Sequence, residues 1–127
     1  AEKKISTRGL RLMDGSGVSP MNRMTAQTMV DFLGAMYRSQ HFGTYFESLP
    51  IAGQTGTVKY YFKGTKAEGN LRAKSGTMAG TRNYAGYVTN KYQENIALCI
   101  MMNDYDEDRK KVVMDRVVLL LNALIED

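Results

Sequence analysis

The chain has 127 residues, enough for one modest domain with its own core. With 43% hydrophobic residues, 24% charged residues and two prolines, it excludes disorder over most of its length. A net charge of +4 is mildly basic, compatible with an anionic partner but not diagnostic of one. No apolar run approaches the roughly 20 residues of a membrane span. No leader peptide is visible and residue 1 is not Met, so the chain reads as a mature product or as a piece of something longer.

Residues 1–12, AEKKISTRGLRL, begin polar and become short and extended in character. MDGSGVSPMN follows, with turn formers at nearly every position. A helix is then predicted, capped by Thr25, with Met29, Val30, Phe32, Leu33, Met36 and Tyr37 repeating at steps of three and four. It ends between Arg38 and Gly43. FGTYFESLP reads as one more helical turn stopped by Pro50, and IAGQTGT as a loop. VKYYFKGTKAEGN is ambiguous: Val58, Tyr61 and Phe62 fit helical spacing, while the Tyr-Tyr-Phe run favours a strand.

Three strands are expected next. The first is NLRAKSGT. The second is NYAGYVTN, with Tyr84, Gly86 and Val88 on one face and Ala85, Tyr87 and Thr89 on the other. NKYQEN connects it to ENIALCIMMND, which is apolar on both faces, as a central covered strand would be. The last 20 residues form a helix with a wide apolar face: Val112, Val113, Val117, Leu120, Leu121, Leu124 and Ile125. This order implies an α+β fold, a small antiparallel sheet of about three strands with a helix before it and a C-terminal helix packed on it.

Several stretches invite a chemical reading and are better explained structurally. DYDED, residues 104–108, spaces aspartates as a calcium loop does, but the sixth loop position is Arg109 instead of glycine. Acidic residues ahead of a helix that complement its dipole, one of them capping it, explain the run better. His41, the only histidine, sits at the expected end of a helix with no nucleophile elbow nearby. There is no Cys/His cluster for a metal. Cys99 cannot form an internal disulfide and lies in the apolar run NIALCIMM as a buried structural thiol. Ser16 lies between glycines without the G-x-S-x-G spacing. Lys59, Lys63, Lys66, Arg72 and Lys74, interleaved with Tyr60, Tyr61 and Phe62, have the composition of a single-strand nucleic-acid site but no RNA-binding motif around them. Nucleic acid is therefore not expected as a partner.

The stretch AKSGT, residues 73–77, is different because of its setting. It ends a strand and is followed by two more strands and a C-terminal helix, the place of the Lys-Thr-Gly box in penicillin-recognising serine enzymes. With DGSGVSPMNRMT, LPIAGQTGTV, LRAKSGTMAGTRNYAGYV and the terminal helix in this order, the chain from Leu12 onward resembles the C-terminal part of the S13 family of D-alanyl-D-alanine carboxypeptidases, the class C low-molecular-mass penicillin-binding proteins of the DacB type. The resemblance implies part of the serine β-lactamase/penicillin-binding-protein transpeptidase-like fold, with residues 1–127 as the C-terminal portion of the penicillin-binding domain. It implies a periplasmic or cell-envelope setting, no cofactor or metal, and peptidoglycan stem peptides ending in D-Ala-D-Ala as substrate, with β-lactams acylating the parent's serine.

By the same resemblance Lys74 is the box lysine, binding the substrate's terminal carboxylate and shaping the field of the site. Ser75 fills the hydroxyl position, and Gly76 lets the substrate backbone lie close. Thr77 offers its hydroxyl to the carboxylate and its N–H to the oxyanion hole. The family's S-x-x-K and S-x-N motifs are absent: none of the six serines has Lys three residues on or Asn two residues on. The chain is thus expected to carry one wall of a site and to be inactive alone. The alternative is a non-catalytic peptidoglycan-peptide-binding or structural subdomain, pairing with the missing N-terminal part or with itself.

Overall fold

A computed structural model describes residues 5–127. Three strands form one antiparallel sheet in the order β1-β2-β3: β1 Leu71–Met78, β2 Thr81–Thr89 and β3 Asn95–Met102. Three α-helices pack on it: α1 Ala26–Tyr37, α2 Phe42–Ser48 and α3 Lys110–Glu126. The expected α+β arrangement is the one observed.

Local chemistry accounts for most element boundaries. The Thr25 side chain accepts a hydrogen bond from the Thr28 amide at 3.0 Å, which starts α1. Pro50 follows α2 closely and cannot continue it. The register Leu71↔Val88 to Met78↔Thr81 runs without a bulge and closes through the tight turn at Ala79–Gly80, where Gly80 has a positive φ. Between β2 and β3, Asn90 folds the NKYQEN connection by accepting from the Tyr92 and Glu94 amides.

The two faces of the sheet carry two cores. Tyr84 and Val88 of β2 join Leu71 and Ala73 of β1, Leu98 of β3, and Val117, Leu121 and Ile125 of α3. On the other face Tyr87 sits fully buried with Leu33 of α1 and Leu49, ringed by Phe42, Tyr45 and Phe46. Its hydroxyl donates to the Leu33 carbonyl at 2.7 Å, tying α1 to the sheet. Burial pushes the Tyr87 phenol up to about 12. The alternation expected for residues 84–89 is therefore correct.

Four expectations need correction. First, VKYYFKGTKAEGN is neither helix nor strand, but a 3-10 turn at Gly56–Val58 followed by successive tight turns. Val58, Phe62 and Ala67 are buried, and Phe62 takes a positive φ of 66°, so local propensity loses to tertiary burial of the Phe62 ring against Tyr84. Second, β3 is apolar on both faces because helices cover both, yet it is an edge strand and the central one is β2. Third, α3 starts at Lys110 after a 3-10 turn at Glu107–Arg109, with no side-chain cap from any aspartate of DYDED; Val112 and Leu120 of its expected apolar face are exposed. Fourth, His41 stands at the start of α2, exposed, and not at a helix end. Cys99 is half-buried, and burial raises its thiol pKa, keeping it protonated.

Candidate functional site

Lys74, Ser75, Gly76 and Thr77 are consecutive on β1, on the side of the strand away from β2's other partner. Only the first part of that outer side is covered. Ala52 donates to the Leu71 carbonyl at 2.9 Å, and Ala73 donates to the Pro50 carbonyl at 3.0 Å. This sets the parity of the strand. The peptide groups of Leu71 and Ala73 point outward, so in an unbulged register those of Ser75 and Thr77 do too, beyond the end of the Pro50–Ala52 cover. Lys74 and Gly76 turn their peptide groups toward β2. Among the described residues the result is a short open edge with two N–H groups and the Thr77 C=O available to a strand-like partner, while the Ser75 C=O accepts from Lys74 Nζ.

Side chains follow the opposite alternation. Ser75 and Thr77 share the α3 face with Tyr84 and Arg82, their cross-strand partners, while Lys74 and Gly76 lie on the face of Ala85 and Asn83. Lys74 is exposed and bends its ammonium back onto the Ser75 carbonyl, placing a positive charge at the open edge. Thr77 is exposed and Ser75 half-buried. A Cβ built on Gly76 would meet nothing within 4 Å, so nothing in this chain requires glycine there.

The loop that covers the edge also supplies a residue that motif reading did not single out. The Ser75 hydroxyl donates to Thr57 Oγ1 at 2.7 Å. Thr57 lies on the 3-10 turn whose last residue, Val58, is fully buried and so anchors it. Eighteen residues separate the two hydroxyls in sequence, and no local pattern brings them together. The only hint was that both belong to stretches which carry the resemblance, LPIAGQTGTV and LRAKSGT.

Ser16 is no nucleophile here. Its hydroxyl donates to Asp14 Oδ2 at 3.0 Å, and Asp14 also accepts from the Gly17 and Ser19 amides and from Asn22 Nδ2, at 2.7 Å in the last case. The Asn22 hydrogen bond is the main cause that holds the Asp14 carboxyl below its ordinary pKa. DGSGVSPMN is thus a turn closed around one carboxylate. Among the described residues no group of three or more His, Cys, Asp or Glu is placed to hold a metal ion, and no helix is long and apolar enough to cross a membrane.

The chain belongs to the D-Ala-D-Ala carboxypeptidase 3 (S13) family, which it matches over residues 1–124. It is 38% identical over 122 residues to a D-alanyl-D-alanine carboxypeptidase of Actinomadura sp. (strain R39), covering 92% of this chain and 22% of that protein. The crystal structure of penicillin binding protein 4 (dacB) from Haemophilus influenzae, complexed with a β-lactam, superposes with a TM-score of 0.84 at 28% identity, over 94% of this chain and 29% of that one. A predatory endopeptidase from Bdellovibrio bacteriovorus shares the fold, with a TM-score of 0.74 at 21% identity, over 94% of this chain and 33% of that one. The chain therefore spans about a fifth to a third of the length of these relatives.

Proposed function

We propose that these residues form one wall of the active site of a serine-type D-Ala-D-Ala carboxypeptidase or endopeptidase that trims peptidoglycan outside the cytoplasm. The observation that carries this reading is the open edge of β1 at Ser75 and Thr77, with the Lys74 ammonium leaning onto it. A stem peptide ending in D-Ala-D-Ala would add along this edge through backbone hydrogen bonds. Lys74, with the hydroxyls of Ser75 and Thr77, would hold the terminal carboxylate. A serine of the parent, from the S-x-x-K motif that these residues lack, would attack the penultimate D-Ala carbonyl. The oxyanion would take the Thr77 N–H, the terminal D-Ala would leave with a proton on its amine, and water would release the acyl-enzyme. The empty space over Gly76 supports a substrate backbone lying there. β-Lactams would acylate the parent's serine against the same wall. No step calls for a cofactor.

A second reading, a structural or peptide-binding subdomain without chemistry, draws on β3. In its pairing with β2 the peptide groups of Asn95, Ala97, Cys99 and Met101 point away from the sheet, unpaired among the described residues, in a strand without charge or proline. This edge would pair with the remainder of the parent or, in isolation, with a second copy.

The two readings share a test. In an amide-resolved NMR titration with a peptide ending in D-Ala-D-Ala, binding to one wall alone should be weak, with a dissociation constant on the order of millimolar. The Ser75 and Thr77 amides should shift and Lys74→Ala should weaken binding. Shifts confined to β3, or equal binding by Lys74→Ala, would refute the assignment of the wall.

A further inference from the structure

Arg82 carries a charge that the fold buries without an acid. Only 5% of the residue is exposed, and among the described residues no carboxylate pairs with it. Its Nε has no hydrogen-bond partner there either. The Tyr61 ring covers the guanidinium, with its centroid 4.8 Å away. Arg82 Nη1 donates to the Met114 sulfur at 3.9 Å, and the Tyr84 hydroxyl donates to the same sulfur at 3.7 Å. Among the described residues no other methionine sulfur accepts a hydrogen bond.

The pairing is poor as it stands. A thioether is a weak acceptor, and a buried arginine ordinarily finds an oxygen. Here two donors, one of them cationic, converge on an atom that returns little. The donors are fixed. Arg82 and Tyr84 lie on one face of β2, opposite Thr77 and Ser75 of β1, and Tyr84 is fully buried. Met114 is half-buried against the same core from α3. An oxygen on its sulfur, one bond out towards the donors, would bring a strong acceptor into ordinary hydrogen-bond range.

We propose that Met114 is an oxidation site whose sulfoxide is bound by Arg82 and Tyr84. The oxidant is a peroxide. The sulfur lone pair attacks one peroxide oxygen, the O–O bond breaks, that oxygen stays on sulfur, and the other leaves as water with both protons. Sulfur loses two electrons and the peroxide gains them. A sulfoxide in a core ordinarily disrupts packing, because a flexible apolar side chain becomes polar. At Met114 the new oxygen answers a buried cation, and hydrogen bonds to charged groups are the stronger ones. Oxidation therefore tightens α3 onto β2. Both donors sit on one side of the sulfur, so one of the two sulfoxide epimers is favoured. The inference does not depend on the wall reading.

The test treats the folded chain with dilute hydrogen peroxide and digests it with trypsin. Cleavage after Lys111 and Arg116 releases Val112–Arg116, whose single methionine is Met114. This peptide should gain one oxygen. Of the two methionine sulfoxide reductases, each specific for one epimer, one should repair the released peptide nearly completely and the other leave it oxidised. Met114→Leu reports what oxidation does at the other eight methionines. Oxidation should lower the chemical-denaturation midpoint less in the parent than in Met114→Leu. Tyr84→Phe keeps the buried ring, and should lose that advantage and give both epimers. No oxygen on the peptide while the exposed Met13, Met21 and Met78 are oxidised would overturn the proposal. So would a midpoint loss in the parent equal to or larger than that in Met114→Leu, equal amounts of the two epimers, or an unchanged epimer preference in Tyr84→Phe.

Discussion

Gly76 of β1, paired with Asn83, and Gly86 of β2, paired with Ala73, have opposite physical meaning. A Cβ at Gly86 would lie 2.1 Å from the Arg72 carbonyl oxygen and 2.7 Å from the Ala73 Cα, both backbone atoms that cannot swing aside. Gly86→Ala should therefore cost about 3 kcal/mol or more, read as a lowered chemical-denaturation midpoint. Gly76 has nothing within 4 Å, so Gly76→Ala should leave stability within about 0.5 kcal/mol while weakening peptide binding at the edge. An equal loss of stability in both variants would show that Gly76 serves the fold and not a ligand. At this scale the placement of Lys74, Ser75, Gly76 and Thr77 on one strand was legible because they are consecutive. Thr57 was not, because its contact with Ser75 depends on how a loop folds back across the sheet.

At the scale of elements, Tyr87 is the joint between α1 and the sheet. Its phenol is held neutral by burial, with a pKa raised from 10.0 to about 12. The folded state therefore keeps a proton that the unfolded chain loses above pH 10. The associated stability is fully present below pH 10 and is lost as the pH rises toward 12, by about 2 kcal/mol. Tyr87→Phe should remove that alkaline slope and cost about 1–3 kcal/mol at neutral pH, because the Leu33 carbonyl loses its buried donor. Denaturant melts of both proteins at pH 8 and pH 11 check this; parallel pH profiles would contradict it. Helix α1 was legible from Thr25 and its periodicity, and the faces of β2 from strict alternation. The 58–69 segment was not, since Phe62 reaches the core only by adopting a left-handed backbone that no propensity favours. For β3, apolar faces report cover by helices and say nothing of its lateral neighbours, so an edge strand read as a central one.

At the scale of the whole molecule, the sheet is open on both sides among the described residues, for different reasons. The β1 edge is short, polar and partly covered by Pro50–Ala52. The β3 edge is eight residues long and uncharged. A long apolar edge without gatekeepers is a template for strand pairing. The isolated chain should therefore self-associate with rising concentration in sedimentation velocity, whereas a strictly monomeric 14.2 kDa species at all concentrations would show that this edge needs no partner.

In the function proposed above, these residues would supply a substrate-binding wall and the nucleophile would come from the rest of the parent. Intact-mass measurement before and after incubation with penicillin tests it most directly. A 14.2 kDa species unchanged by the drug is expected. A stoichiometric mass increase of one penicillin on this polypeptide would contradict it, because a serine within these 127 residues would then be the acylated group.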